Sequence, residues 1–78
     1  MMSIKNLNRL DNVICTVIHT NASGSVVKIK GLLENPFVIM YNTYLKPNSV
    51  VMGSISKISL DMSRVKVSLD SVLEGTAA

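Results

Sequence analysis

The stretch from Val50 to Asp70, VVMGSISKISLDMSRVKVSLD, constrains this chain more than any other part of it. Two runs rich in Val and Ile flank a short polar break at Asp61–Ser63. The second run, Arg64–Asp70, alternates without a fault: Val65, Val67 and Leu69 share one face, and Arg64, Lys66 and Ser68 the other. A period of two cannot lay an apolar stripe along a helix, so the pattern predicts a β-hairpin with strands Val50–Leu60 and Arg64–Asp70. Gly53, in the middle of the first strand, marks a bulge or a barrel corner.

The same pattern continues upstream. Asn12–Thr20 (NVICTVIHT) is dense in β-branched residues and free of Gly and Pro, which predicts a long first strand, and Asn21–Gly24 supplies the turn after it. In Ser25–Lys30, Val27 and Ile29 point to the core and Val26, Lys28 and Lys30 to solvent. Gly31–Pro36 is a connection to a third strand, Phe37–Tyr41, apolar on both faces, with Phe37, Ile39 and Tyr41 on the same one. Asn42–Ser49 contains Pro47 and predicts a loop or one helical turn, with Tyr44 and Leu45 plugging the core. Ser71–Ala78 is expected to add a short helical turn ended by Gly75, or to fray. Five short strands, with at most one short helical turn between the third and fourth, predict an all-β, five-stranded OB-fold barrel, whose closure removes exposed sheet edges.

Seventy-eight residues suffice for one domain, since a chain this short buries only about 60% of the surface it exposes when unfolded. Aromatic residues are scarce and Trp is absent, so the core must come from Val, Ile, Leu and Met. One cysteine forms no intramolecular disulfide, which places the expected compartment among the reducing ones. Met1–Leu10 lacks the apolar run of a signal peptide, and the longest apolar runs fall far short of the roughly 20 residues that span a bilayer. A cytoplasmic protein without membrane contact is the expectation. The formal charge of +3 is compatible with a polyanionic partner without requiring one.

Catalytic chemistry has no visible residues, and no enzyme is expected. Cys15 and His19 stand four residues apart on one strand, about 13 Å, too far for a dyad. Cys15 reads as a small buried residue. No Cys, His or carboxylate cluster has metal-ligand spacing, and the glycines form no phosphate-cradling loop, so neither metal nor cofactor is expected.

Val51–Ser59 followed by Arg64-Val65-Lys66-Val67-Ser68-Leu69 resembles the closing hairpin of the S1 motif, the RNA-binding OB-fold domain of ribosomal protein S1, exoribonucleases and translation factors. Val17, Gly24 and Val27 fall where that family ends its first strand, turns, and places the core Val of its second. Phe37-Val38 fits the family's third strand, with Pro36 in place of a Gly. The resemblance spans Leu10–Leu73 and implies an S1-like domain over residues 10–73, an N-terminal extension over 1–9 and a flexible tail over 74–78.

The family binds RNA through two aromatic residues around the first turn, a His on the third strand, and an Asp and an Arg near the last hairpin. Here the aromatic slots hold Ser23 and Val26, the His slot Ile39, and the Asp slot Ser59, with Asp61 two places away; Arg64 matches. Base stacking is worth about 1–3 kcal/mol per base, so the missing aromatics weaken single-strand binding unless Tyr41 or Tyr44 replaces them. Tyr41, beside Lys28 and Lys30, is the candidate if its face is outward; otherwise it caps the core with its hydroxyl in water. The expected site is a basic stripe of Lys28, Lys30, Arg64 and Lys66, with Lys57, Tyr41 and a phosphate-touching His19. The expected function is weak binding of RNA, or of single-stranded DNA, with little sequence preference, by a monomer or weak dimer. The alternative is a protein-interaction module that presents Val26 and Ile39 to a partner protein or to a second copy.

Overall fold

A computed structural model describes residues 2–74. Its strands are β1 (Asn12–Asn21), β2 (Gly24–Ile29), β3 (Phe37–Tyr41), β4 (Val50–Ile58) and β5 (Arg64–Glu74). They close in the order β1-β2-β3-β5-β4, with β4 returning antiparallel to β1. β3 and β5 form the parallel pair, across Phe37–Ile39 and Arg64–Lys66. The fold is therefore an all-β, five-stranded, OB-like closed barrel. The lone helical element among the described residues is a 3-10 turn at Ile4–Asn6, and no helix is long and apolar enough to cross a membrane.

Alternation fills the barrel. β1 turns Val13, Cys15 and Val17 inward, β2 adds Val27 and Ile29, and β5 adds Val65 and Val67, around fully buried Met40, Val51 and Ile55. Each such side chain contributes about 1.5–3 kcal/mol by leaving water. Small residues sit where backbones crowd. A Cβ on Gly53 would lie 2.4 Å from Val67 Cγ1 and 2.8 Å from Ser68 O, and the β4–β5 register shifts between Met52 and Gly53. The register shift is the bulge or barrel corner expected at Gly53, and its requirement is space. Gly24 has φ +153° and meets Met40 O where a Cβ would stand, so β2 and β3 approach there only because the side chain is missing. Asn21 Oδ1 accepts from the N–H groups of Ser23 and Gly24 and closes the turn between β1 and β2.

Several expectations are corrected, but not the connection between β3 and β4, which is the loop that was one of the two forms expected of it. The lone 3-10 turn among the described residues lies at the N-terminus, where Ile4 and Leu7 are buried in the core. Glu34 fastens it, accepting from Ile4 N at 2.9 Å and Ser3 Oγ at 2.8 Å, and these two hydrogen bonds lower its pKa. Leu45 packs half-buried against the core, but Tyr44 does not plug it: the ring is exposed and its hydroxyl donates to Ala22 O. The loop is held instead by buried Ser25, whose Oγ donates to Thr43 O and accepts from Leu45 N. β4 ends at Ile58, leaving Leu60 fully exposed in the turn. Ser71–Glu74 continue β5 rather than turning into a helix, because they pair with the start of β4; the rest of the expected tail, Gly75–Ala78, lies outside the described residues.

Candidate nucleic-acid interface

One row of side chains crosses the outside of the barrel through all five strands. His19 of β1 stands opposite Val26 of β2, Val26 opposite Ile39 of β3, Ile39 opposite Lys66 of β5, and Lys66 opposite Lys57 of β4. The middle of the row is an apolar floor. Val26 is 7% and Ile39 5% exposed, although neither belongs to the barrel core. The expectation that these two residues face solvent is therefore corrected, and with it goes the observation that favoured a protein-docking face: neighbouring strands flank them on both sides.

Phe37 and Tyr41 stand on β3 on either side of Ile39, 42% and 47% exposed, so the face shared by these three residues is the outward one. Each ring has a cation from β5. The Arg64 guanidinium lies 5.8 Å from the Phe37 centroid, and Lys66 Nζ 5.2 Å from the Tyr41 centroid. Phe37, Ile39, Tyr41, Lys57, Ser59, Arg64, Val65 and Lys66 enclose a shallow hollow of about 170 Å³.

Lys57 reaches this face through a bulge. Ile55 is inward and opposite Val67; strict alternation would send Lys57 inward too. The register shifts between Ile55 and Lys57, so that Lys57 comes out opposite Lys66 while Ile58 faces Val65. Like charges directly opposite one another across two strands are unfavourable. No carboxylate among the described residues relieves Lys57, Arg64 or Lys66 by an ion pair; Asp11, Glu34, Asp61 and Asp70 are engaged in local structure. Asp11 holds Asn8 N, Glu34 the N-terminal turn, and Asp70 the Ser54 hydroxyl. Asp61 accepts from the Ser59 hydroxyl and from Ser63 N and Oγ, which together pull its pKa down to about 2. Asp61 thus closes the β4–β5 turn.

The expected basic stripe is divided. β2 and β5 are not neighbours; β3 lies between them. The β2–β3 register sets Gly24 opposite Tyr41, so Tyr41 stands beside Lys66 and away from Lys28 and Lys30. Lys28 shares a second hollow with Ile18, Val26, Pro36 and Phe37, on the other flank of the Phe37 ring. Lys30 follows β2 in a turn, its N–H bonded to Ile14 O, and lines none of these hollows. His19 is exposed at the far end of the cross-strand row. Phe37 was missing from the site expected from sequence, although its spacing of four from Tyr41 carried the signal.

Cys15 is buried, and burial pushes its thiol up to about 11, far from a nucleophile's range. No group of three or more His, Cys, Asp or Glu among the described residues could hold a metal ion. Comparison with family models, with curated proteins and with solved structures gives no match to this chain.

Proposed function

We propose that this chain is an S1-like OB module that binds single-stranded RNA across the outer face of β3. The observation that carries the reading is the pairing of two half-exposed aromatics, Phe37 and Tyr41, with Arg64 and Lys66, beside Lys57, cations that form no ion pair with a carboxylate among the described residues. Aromatic faces accept any base, and a row of cations tracks the backbone, so the arrangement suits weak binding with little sequence preference. RNA is favoured over single-stranded DNA by the resemblance of the closing hairpin to the S1 motif. The aromatics stand two residues either side of the family's His slot, Ile39, on the same face of the strand. The module is an accessory one, with no catalytic part, and its single buried cysteine suits the cytoplasm.

The test is a titration of isotope-labelled protein with a short oligouridylate, followed by amide chemical shifts. Shifts should centre on Phe37, Ile39, Tyr41, Arg64 and Lys66, and affinity should fall steeply with salt. No shifts at low salt, or shifts confined to the opposite wall of the barrel, would overturn the reading.

A further inference from the structure

Lys57 and Lys66 line two hollows at once. On one side is the aromatic hollow of β3; on the other is a wider one, about 580 Å³, lined by Arg9, Ile55, Ser56, Lys57, Ile58 and Lys66. The second hollow has no aromatic ring. It gathers three cations, and none of them has an ion-pair partner among the described residues.

Arg9 is brought there by a tightly fixed turn. Asn8 N donates to the Asp11 carboxylate at 2.8 Å and Asp11 N donates to Asn8 O at 3.1 Å. Leu10 N then donates to Ile55 O, and Ile55 N donates to Asp11 O, tying the turn to β4. Leu10 adopts φ +75° and is 74% exposed. A non-glycine residue in the left-handed region costs of order 1 kcal/mol, and an exposed leucine regains little of that by burial. The strain and the mutual repulsion of Arg9, Lys57 and Lys66 are both unfavourable in the free protein. An anion between the three would reverse the second.

We infer that the hollow between Arg9, Lys57 and Lys66 is a phosphate subsite, which holds a backbone phosphate of the strand whose bases lie on Phe37 and Tyr41. The inference rests on the nucleic-acid reading and adds to it a polarity: bases on the β3 side of the Lys57–Lys66 ridge, sugar-phosphate on the N-terminal side. Arg supplies a planar fork of donors to phosphate oxygens, the two Lys supply point charges, and the Ser56 hydroxyl lines the same wall. The N-terminal segment thereby becomes part of the binding surface.

The test compares wild type, Arg9→Gln and Tyr41→Leu for binding to an oligouridylate and to an abasic sugar-phosphate oligomer of equal length, each over a range of salt. Arg9→Gln should lower affinity for both ligands about three- to tenfold at low salt and reduce the salt slope by about 0.7, one single-strand phosphate contact. Tyr41→Leu should weaken the oligouridylate alone. Arg9 is exposed, so the melting temperature of Arg9→Gln should match wild type. If the oligouridylate binds and Tyr41→Leu weakens it while Arg9→Gln leaves affinity and slope unchanged, the phosphate subsite is overturned and the aromatic face stands. If wild type binds neither ligand, both fall.

Discussion

The Lys66 ammonium stands over the Tyr41 ring, 5.2 Å from its centroid, where the third and fifth strands run side by side. A cation–π contact at an exposed site stabilises by about 0.5–1 kcal/mol. On the proposed nucleic-acid reading the same ring is also a stacking platform. Tyr41→Leu should therefore lower affinity for an oligouridylate about 5- to 150-fold, the equivalent of about 1–3 kcal/mol. Tyr41→Phe should stay close to wild type, because the face and not the hydroxyl is used. Equal losses for both variants in a binding isotherm would assign the effect to the hydroxyl.

Gly53→Val should destabilise the barrel by more than the usual half kilocalorie of a surface change, about 1–3 kcal/mol or more. The added side chain would begin 2.4 Å from Val67 Cγ1 and 2.8 Å from a backbone carbonyl, and the carbonyl cannot step aside without breaking β5 from β4. Chemical denaturation reads the effect. A midpoint equal to wild type would mean that the corner can open at no cost.

The hairpin that gave this corner was legible in the sequence because one face of each strand is dry: alternation reports burial. The inward Val65 and Val67 of the closing strand follow from it, whereas the bounds of the third strand, Phe37–Tyr41, follow from Pro36 and Asn42 on either side of an unbroken apolar run. Alternation carries no information about which strands become neighbours. β3 lies between β2 and β5, and the register sets Gly24 opposite Tyr41 and Val26 opposite Ile39, so that the cation of Tyr41 is Lys66 in place of Lys28, and Val26 and Ile39 are buried side by side. The bulge that turns Lys57 outward, the 3-10 turn at Ile4–Asn6 and the placing of Arg9 depend on long-range hydrogen bonds to Glu34 and Ile55, which no local pattern announces.

Ser25→Ala should cost about 1–3 kcal/mol, although it removes a single oxygen. Ser25 is fully buried; its hydroxyl donates to Thr43 O at 2.6 Å and accepts from Leu45 N at 2.9 Å, so the variant leaves two backbone groups of the β3–β4 loop without that partner. Thermal melting checks the cost, and hydrogen exchange should show the Leu45 amide losing protection first. Unchanged exchange at Leu45 would show that the loop is held by other contacts.

Acid should loosen the β4–β5 turn in a defined window. The Asp61 pKa is lowered from 3.8 to about 2 by the Ser59 hydroxyl and by Ser63 N and Oγ, all of which favour the ionised form. A carboxylate depressed in the folded state contributes stability that is fully present above its unfolded pKa and is lost as pH falls through its folded one. The loss from Asp61 should run from about pH 4 down to about pH 2. Asp61→Ala should be less stable than wild type at neutral pH and should lose less on acidification across that window. Glu34, also lowered, keeps the remaining slope from vanishing. Parallel acid curves for wild type and Asp61→Ala would show that the turn does not depend on the charge.

The cations around β3 should not be equivalent to those elsewhere. Lys66 lies over Tyr41, opposite Lys57, and on the wall of the aromatic hollow; Lys30 sits in the turn after β2 and lines none of the hollows about Phe37. Both carry one charge, so a binding mode set by net charge alone would treat them alike. On the β3 face, Lys66→Gln should remove about one phosphate contact, reducing the single-strand salt slope by about 0.7, whereas Lys30→Gln should leave it near wild type. Reversing Lys57, Arg64 and Lys66 together to Glu should abolish binding at any salt, since the face would then repel the backbone along its whole length. Their fold should survive, because all three side chains are exposed and the variant relieves the Lys57–Lys66 repulsion only to replace it with an equal one. If Lys30→Gln and Lys66→Gln lower affinity equally across the salt series, the aromatic face has no special part in binding, and the strand is held by charge alone.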